Sequence, residues 1–168
     1  MFSEGDGHMS AWEPSIGATD EWSTPTYVFD ALGCTFDTDV AAPEHGPLNV
    51  PANNWYSQDS LTLVWSGFVW MNPPFGGRNA LEPWLDKFFD HSNGIALTPD
   101  RTSAPWFRSA WSRADLVMFT PKIKFLRPDE TEGKSPSTGT ALWASGSRAC
   151  AALHTADGAN LGILAVPV

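Results

Sequence analysis

The feature that most restricts the fold of this sequence is an apolar run that stops at two consecutive prolines. Residues 68–71 (Phe-Val-Trp-Met) are typical of a buried strand, and Asn72-Pro73-Pro74-Phe75 follows directly. Neither proline has a backbone N–H to donate, so the strand has to end at this point. An amphipathic helix is predicted next from apolar residues at helical spacing: Leu81, Trp84, Leu85, Phe88 and Phe89. The segment therefore predicts a strand, a stiff turn and a helix in succession.

Strand and helix patterns alternate along most of the remaining chain. Helices are predicted from about Thr24 to Leu32, where Gly33 ends the first one, and over 106–111. Strands are predicted over 34–40, 94–98, 116–119, 122–126 and 140–144, with a further apolar segment at 161–166. Residues 43–60 and the polar stretch 127–139 are predicted to be mainly loop. This alternation indicates an α/β sheet with flanking helices.

The length of 168 residues suits a single domain. Residues 1–20 lack a periodic apolar pattern and are predicted to be a flexible leader, which leaves 21–168 as the domain. No apolar run approaches the ~18 residues of a spanning helix and no secretory signal is present, so we expect a cytoplasmic protein without a membrane partner. The two cysteines, Cys34 and Cys150, lack metal-ligand spacing, and no metal is expected.

The net charge of −9 is distributed unevenly along the chain. Residues 1–77 contain ten acidic residues and no Lys or Arg, whereas all ten Lys and Arg lie between Arg78 and Arg148. An acidic chain is a poor general binder of polyanions. Any contact with nucleic acid therefore has to come from the second half of the sequence.

The diproline turn also indicates a reaction. Its two fixed φ angles make a stiff corner whose carbonyl oxygens are free to accept hydrogen bonds. The Asn72 side-chain oxygen and the Pro73 carbonyl can then hold the two protons of one amino group, while Phe75 stacks on the ring that carries it. Such an arrangement suits methylation of an exocyclic amine by S-adenosylmethionine. The alternative is a plain turn between a strand and a helix, and the motif by itself indicates a reaction class and not a substrate.

Several segments resemble those of one known family. They are Glu21-Trp22-Ser23-Thr24-Pro25, 36–42 (Phe-Asp-Thr-Asp-Val-Ala-Ala), Asp59-Ser60-Leu61 with Trp65-Ser66-Gly67, Asn72-Pro73-Pro74-Phe75, 94–102 with Trp106-Phe107, Lys122-Ile123-Lys124-Phe125 and 135–143. From about Glu21 to Trp143, their order and spacing together resemble the short phage and prophage DNA N-6-adenine methyltransferases, the Dam family of phages.

The resemblance implies a Rossmann-like S-adenosylmethionine-dependent methyltransferase sheet, S-adenosylmethionine as cofactor, and N6 of adenine in double-stranded DNA as the methyl acceptor. It also implies a phage-encoded protein in a bacterial host, with protection from host restriction or a regulatory role left open. Residues 72–75 would be catalytic. Cofactor binding would fall to Trp22, Thr24, Pro25, Asp37, Asp39 and Asp59. A solvated strand end or helix cap is the alternative for Asp37 and Asp39, and a turn residue is the alternative for Asp59.

The sequence departs from the family pattern at two places. Phe75 stands where tyrosine is more usual, so that stacking survives but a hydroxyl contact does not. Ala41-Ala42-Pro43 follows Asp39 where a glycine-rich loop could stand. Cofactor binding through a glycine-rich turn is therefore not predicted.

Basic residues of the second half are the candidates for DNA contact. Adenine has to leave the base stack to react, and phosphate contacts help to offset that cost. The candidates are Arg78, Arg101, Lys122, Lys124, Arg127 and Lys134, with Arg108 and Arg113 besides, although each alone is more often a solvated surface charge. The loop 127–139 is predicted to contact a DNA groove.

Other functions stay open at the level of sequence. A methyltransferase of this kind could act on RNA or on a protein amide nitrogen, where an acidic chain is less awkward. A non-catalytic phage DNA-binding protein that keeps the fold is a further alternative. The recognition sequence and the oligomeric state are not determined.

Overall fold

The computed structural model describes residues 22–76 and 79–168. The predicted leader 1–20 and the candidate Arg78 lie outside the described residues. The helices are α1 (Thr26–Leu32), α2 (Glu82–His91), α3 (Pro105–Arg113) and α4 (Ser147–Gly158). The strands are β1 (Phe36–Asp39), β2 (Ala52–Trp55), β3 (Val69–Met71), β4 (Gly94–Pro99), β5 (Leu116–Thr120), β6 (Thr140–Ser145) and β7 (Ile163–Ala165). No helix in these two ranges has the length and apolar content that crossing a bilayer requires.

One mixed sheet contains the strands just named, in the order β2-β1-β3-β4-β6-β5-β7. The first four run parallel, with Asp39 opposite Trp70 and Trp70 opposite Ile95. β6 is antiparallel to both of its neighbours, β4 and β5, and β7 is antiparallel to β5. The strands β1, β3, β4 and β5 therefore end at the same side of the sheet, which we call the carboxyl edge.

The crevice between β1 and β3 lies where the strand order reverses. From β1 the chain continues to β2 on one side, whereas from β3 it continues to β4 on the other side. In open α/β sheets, ligands bind at such a switch point, outside the carboxyl ends of the strands. A ligand site is therefore expected among the residues that follow β1 and β3.

Helices cover both faces of the sheet. Val69 and Met71 of β3 pack in a core shared with α2 and α3, whereas Trp70 packs in a second core shared with α1 and α4. Successive side chains of a strand point to opposite faces, so a strand buried on both sides has an unbroken apolar sequence. This arrangement explains why β3 reads as a continuous apolar run.

Most of the elements predicted from periodicity are confirmed to within a few residues. The strand, turn and helix around the two prolines are present as β3, residues 72–81 and α2. Helix α1 ends at Gly33, which has a φ of 63° and donates its N–H to the Phe29 carbonyl at 3.0 Å. The predicted α/β sheet with flanking helices is confirmed.

Three predictions of secondary structure are wrong or incomplete. Residues 122–126 do not form a strand, because after Pro121 the chain leaves β5 and crosses the carboxyl edge, making only isolated bridges at Leu126. The predicted loop 43–60 contains β2, an edge strand too exposed to have an apolar pattern. Helix α4 was not predicted, because most of its buried side chains are alanines: Ala149, Ala152, Leu153 and Ala156.

Candidate functional site

The Asn72-Pro73-Pro74-Phe75 corner follows β3 directly at the carboxyl edge. Met71, the last residue of the strand, is fully buried between β1 and β4, so the corner begins on a rigid support. Pro73 is buried, Asn72 and Phe75 are partly buried, and Pro74 is exposed. All four residues line a cavity of about 1130 Å³ that opens along the carboxyl edge. The structure thus places the motif where a ligand can reach it.

Asp39 is the last residue of β1 and lies on the other side of the switch point. It lines the same cavity, yet only 2% of its surface is exposed. Burial raises the pKa of this carboxyl to about 7, although the Ala41 N–H, which donates to Oδ1 at 3.1 Å, acts in the opposite direction. Because this buried carboxyl accepts a single hydrogen bond from the described residues, its remaining lone pairs can bind a ligand hydroxyl or a cation.

Asp37 has a different environment, although it lies two residues earlier on the same strand. Its Oδ2 accepts the Phe68 backbone N–H at 2.7 Å, which joins β1 to the start of β3. A Cβ added to Gly67 would come within 2.7 Å of Asp37 Cβ, so the two segments are closely packed. Asp37 is not among the described residues that line the cavity, and the structure gives its carboxylate a role in strand connection.

The segment before α1 contributes three of the predicted cofactor residues. Thr24 is buried, lines the cavity, and accepts a hydrogen bond on Oγ1 from Asn72 Nδ2 at 3.3 Å. Trp22 also lines the cavity, and its indole Nε1 is buried without a hydrogen-bond partner among the described residues. Pro25 precedes α1 as its N-cap and is not one of the described residues around the cavity.

Asp59 begins a turn on the far wall of the cavity. Its backbone has a φ of 55°, and its carbonyl accepts hydrogen bonds from the Thr62 N–H at 2.8 Å and the Leu63 N–H at 3.2 Å. The carboxylate is exposed and lies on the cavity wall. Asp59 can therefore be a turn residue through its backbone and a ligand-binding residue through its carboxylate.

Lys87 of α2 holds that turn and was not singled out from the sequence. Its Nζ donates to the carbonyls of Ser60 at 3.0 Å and Leu61 at 2.9 Å, and also to the carbonyl of Leu63. It lies 4.9 Å from the centre of the Trp65 ring. Because its partners are backbone carbonyls, which every residue type carries, no sequence signal could have identified it.

The basic candidates divide into free and engaged side chains. Arg101 is exposed and lines the cavity, and Lys122 and Lys134 are exposed without an ion pair among residues 22–76 and 79–168. Lys124 instead pairs with Glu132 at 3.5 Å. Arg78 lies outside the described residues.

Arg127 is engaged within its own turn. Its Nη1 donates to the Glu132 carbonyl at 2.8 Å, and the guanidinium carbon lies 5.5 Å from the centre of the Trp22 ring. The surrounding turn also carries the acids Asp129, Glu130 and Glu132. These contacts make Arg127 a support for Trp22, whereas Lys134 at the end of the turn is the better candidate for phosphate contact within 127–139.

Within the described part of the chain, no three His, Cys, Asp or Glu side chains come together as a metal site would require. The cavity is lined by carboxylates, side-chain amides, hydroxyls, a guanidinium and aromatic rings.

Comparison with known proteins gives one match. The model of a protein family described as DNA N-6-adenine-methyltransferase (Dam) matches residues 15–143, well over half of the chain and including the whole 72–75 corner. The search of curated proteins gave no match. The search of solved structures gave none either.

Proposed function

The chain belongs to the DNA N-6-adenine-methyltransferase (Dam) family, and from this premise we propose that it transfers a methyl group from S-adenosylmethionine to N6 of adenine in double-stranded DNA. One structural observation carries the proposal. The Asn72-Pro73-Pro74-Phe75 corner and the buried Asp39 line one cavity from the two sides of the switch point. We further propose that the sheet is of the Rossmann-like methyltransferase type.

The walls of the cavity fit S-adenosylmethionine in their chemistry. Asp39 offers a buried carboxylate with spare acceptor capacity, which suits a ribose hydroxyl or an ammonium group. The Trp22 indole N–H is a buried donor that lacks a partner among the described residues. The volume of about 1130 Å³ slightly exceeds the usual ~300–1000 Å³ of small-molecule sites, which leaves room for a nucleobase besides the cofactor. Trp22, Asp39 and Asp59 are the residues we assign to this group.

The corner supplies what a ring amine needs in order to react. The lone pair of an aromatic amine is delocalised into its ring, which makes the nitrogen a weak nucleophile. The Asn72 side-chain oxygen and the Pro73 carbonyl would each accept one amino proton and so localise that pair on nitrogen. Phe75 would stack on the base. When bound, S-adenosylmethionine supplies an electrophilic methyl group on a sulfonium.

The substrate would reach the corner from outside the carboxyl edge. A paired adenine hides its amino group, so the base has to be flipped out of the duplex to enter the cavity. Arg101 on the cavity wall, together with Lys122 and Lys134, would offset the overall charge of −9 by contacting phosphates. The three are exposed, as phosphate contact requires.

Methyl transfer can be measured directly. The purified chain is incubated with methyl-labelled S-adenosylmethionine in three separate reactions that contain duplex DNA, RNA or protein. The modified nucleosides or amino-acid residues are then identified by mass spectrometry. We expect N6-methyldeoxyadenosine from duplex DNA. Asn72→Ala should lower the rate at least ~100-fold, the scale of one electrostatic contact in an active site, while binding of S-adenosylmethionine persists. His154→Gln, on an exposed position of α4, is the matched control and should not change the rate.

Other results would separate the competing functions. Label in RNA or protein would replace the proposed substrate. Binding of DNA without any transfer would indicate a non-catalytic DNA-binding protein. If calorimetry detects no binding of S-adenosylmethionine, every methyltransferase function is excluded.

A further inference from the structure

The Asn72 side chain has two chemically different ends, and only one of them suits the proposed reaction. The amide oxygen accepts protons, whereas the amide nitrogen donates them. Nδ2 donates to Thr24 Oγ1 at 3.3 Å, a contact that joins residues 48 positions apart in the sequence. No hydrogen bond to Oδ1 comes from the part of the chain that the structure describes. One N–H of the amide is therefore engaged inside the protein, and the oxygen remains available to a ligand.

Thr24 is held so that its hydroxyl cannot easily move away. The residue is only 2% exposed. The preceding Ser23 makes two backbone hydrogen bonds with Leu126, both of 2.8 Å, and the following Pro25 is the N-cap of α1. The Thr24 carbonyl accepts a third fixed contact, from Asn49 Nδ2 at 3.2 Å. A hydroxyl anchored on three sides can hold a neighbouring amide side chain in place.

We propose that Thr24 is a positioning residue that holds the Asn72 amide through Nδ2, so that Oδ1 faces the amino group of the substrate. The inference rests on the proposed function and deepens it. Rotating the amide by half a turn would place one NH₂ against another, and two donors cannot form a hydrogen bond. The amine would then keep only the Pro73 carbonyl as an acceptor.

This role differs from the one that the resemblance implies for Thr24, which is to bind the cofactor. A hydroxyl has one proton to donate besides its two acceptor sites. The contact with Asn72 uses an acceptor site, so the proton is still available to a ligand. The two roles have different kinetic signatures, because one changes the rate of the bound complex and the other changes the affinity for the cofactor.

Two substitutions distinguish the effect of the hydroxyl from that of the rest of the side chain. Thr24→Val replaces the hydroxyl by a methyl group, and Thr24→Ser keeps the hydroxyl. For Thr24→Val we expect kcat to fall about tenfold, the scale of one neutral hydrogen bond, with the KM values for S-adenosylmethionine and DNA within about twofold. Thr24→Ser should restore kcat to within about threefold of the unaltered chain. A raised KM for S-adenosylmethionine with kcat intact would overturn the proposal in favour of cofactor binding.

A second measurement reads the amide itself and needs no turnover. In ¹H–¹⁵N NMR spectra, the side-chain NH₂ signals of Asn72 are the pair that disappears in Asn72→Asp. We expect Thr24→Val to shift these signals and Thr24→Ser to leave them close to their original positions. If the unaltered chain transfers no methyl group, the proposed function fails, but the amide signals still decide whether Thr24 orients Asn72. Signals that stay unmoved in Thr24→Val would overturn the inference.

Discussion

The ammonium group of Lys87 lies over the ring of Trp65 and at the same time donates to three carbonyls of the turn that begins at Asp59. The Nζ to ring-centre distance is 4.9 Å, and the Trp65 indole N–H donates in turn to the Ser60 carbonyl at 2.9 Å. A helix on one face of the sheet therefore holds a wall of the cavity through a single charged side chain. This contact could not be predicted from the sequence.

Lys87→Met keeps the aliphatic stem over Trp65 and removes the ammonium. We expect the free energy of unfolding to fall by about 1–2 kcal/mol, because three carbonyls lose a charged donor. Affinity for S-adenosylmethionine should fall as well, since the turn lines the cavity. Urea denaturation measures the first effect and calorimetry the second. Lys124→Met is the matched control: its surface pair with Glu132 contributes little, and equal losses in both variants would contradict the prediction.

Asp39 should make stability depend on pH. Its pKa is about 7 in the folded protein against an ordinary value of 3.8, so the folded state binds a proton more tightly than the unfolded state. The resulting stabilisation is complete below about pH 4 and is lost as the pH rises to 7. Asp39→Asn cannot ionise, and at pH 8 it should be more stable than the unaltered chain by up to roughly 4 kcal/mol.

Urea denaturation at pH 5 and pH 8 tests this linkage. The gain from Asp39→Asn should be less than half as large at pH 5 as at pH 8, while Asp157→Asn, at an exposed position of α4, serves as control. The same difference at both pH values would show that Asp39 does not titrate in this range. The variant should also lose affinity for S-adenosylmethionine, because it lacks the carboxylate that we assign to binding. Gaining stability while losing binding is common when a functional-site residue is replaced.

Gly67 should not tolerate a side chain. Its φ is 72°, and an added Cβ would come within 2.7 Å of Asp37 Cβ. Gly67→Ala should therefore lower the free energy of unfolding by about 2 kcal/mol or more. Gly158→Ala is a matched control at the end of α4, where no atom lies within 4 Å of the added Cβ, and it should stabilise by up to about 1 kcal/mol. Thermal or urea unfolding of both variants measures these changes. If Gly67→Ala left the free energy of unfolding unchanged, it would contradict the packing described for Asp37.

The free and engaged basic residues should differ in DNA binding. Arg101→Gln and Lys134→Gln should each weaken binding to duplex DNA and lower the slope of log K against log salt by about 0.9, the value for one phosphate contact. Arg127→Gln should leave that slope nearly unchanged, because its guanidinium is engaged by Glu132 and Trp22. Fluorescence anisotropy at several salt concentrations measures the slopes. A lower slope for Arg127→Gln alone would reverse the assignment.

The local part of the site could be predicted from the sequence. Two prolines end any strand, whatever surrounds them, and the helical spacing after them is equally local. The position of Asn72-Pro73-Pro74-Phe75 between β3 and α2 was predicted for that reason. Edge strand β2 and the alanine-rich α4 were missed, because neither presents large apolar side chains at a regular spacing.

The distinction between Asp37 and Asp39 could not be predicted. Both lie on β1, and side chains two residues apart on a strand point to the same face. Their environments differ only through tertiary contacts: the Asp37 carboxylate accepts the Phe68 backbone N–H, whereas Asp39 lines the cavity at the carboxyl edge. The basic residues of 122–134 differ in the same way, through contacts that the sequence does not display.

The strand, the diproline corner, the following helix and the chemical groups that this corner carries all follow from local sequence. These features depend on covalent geometry and on side-chain spacing over a few residues. By contrast, the packing of the strands and helices controls which carboxylates and cations reach the cavity, and it brings Thr24 next to Asn72. Such contacts join residues far apart in the chain, here 48 positions, and they exist only after the strands have taken their order in the sheet.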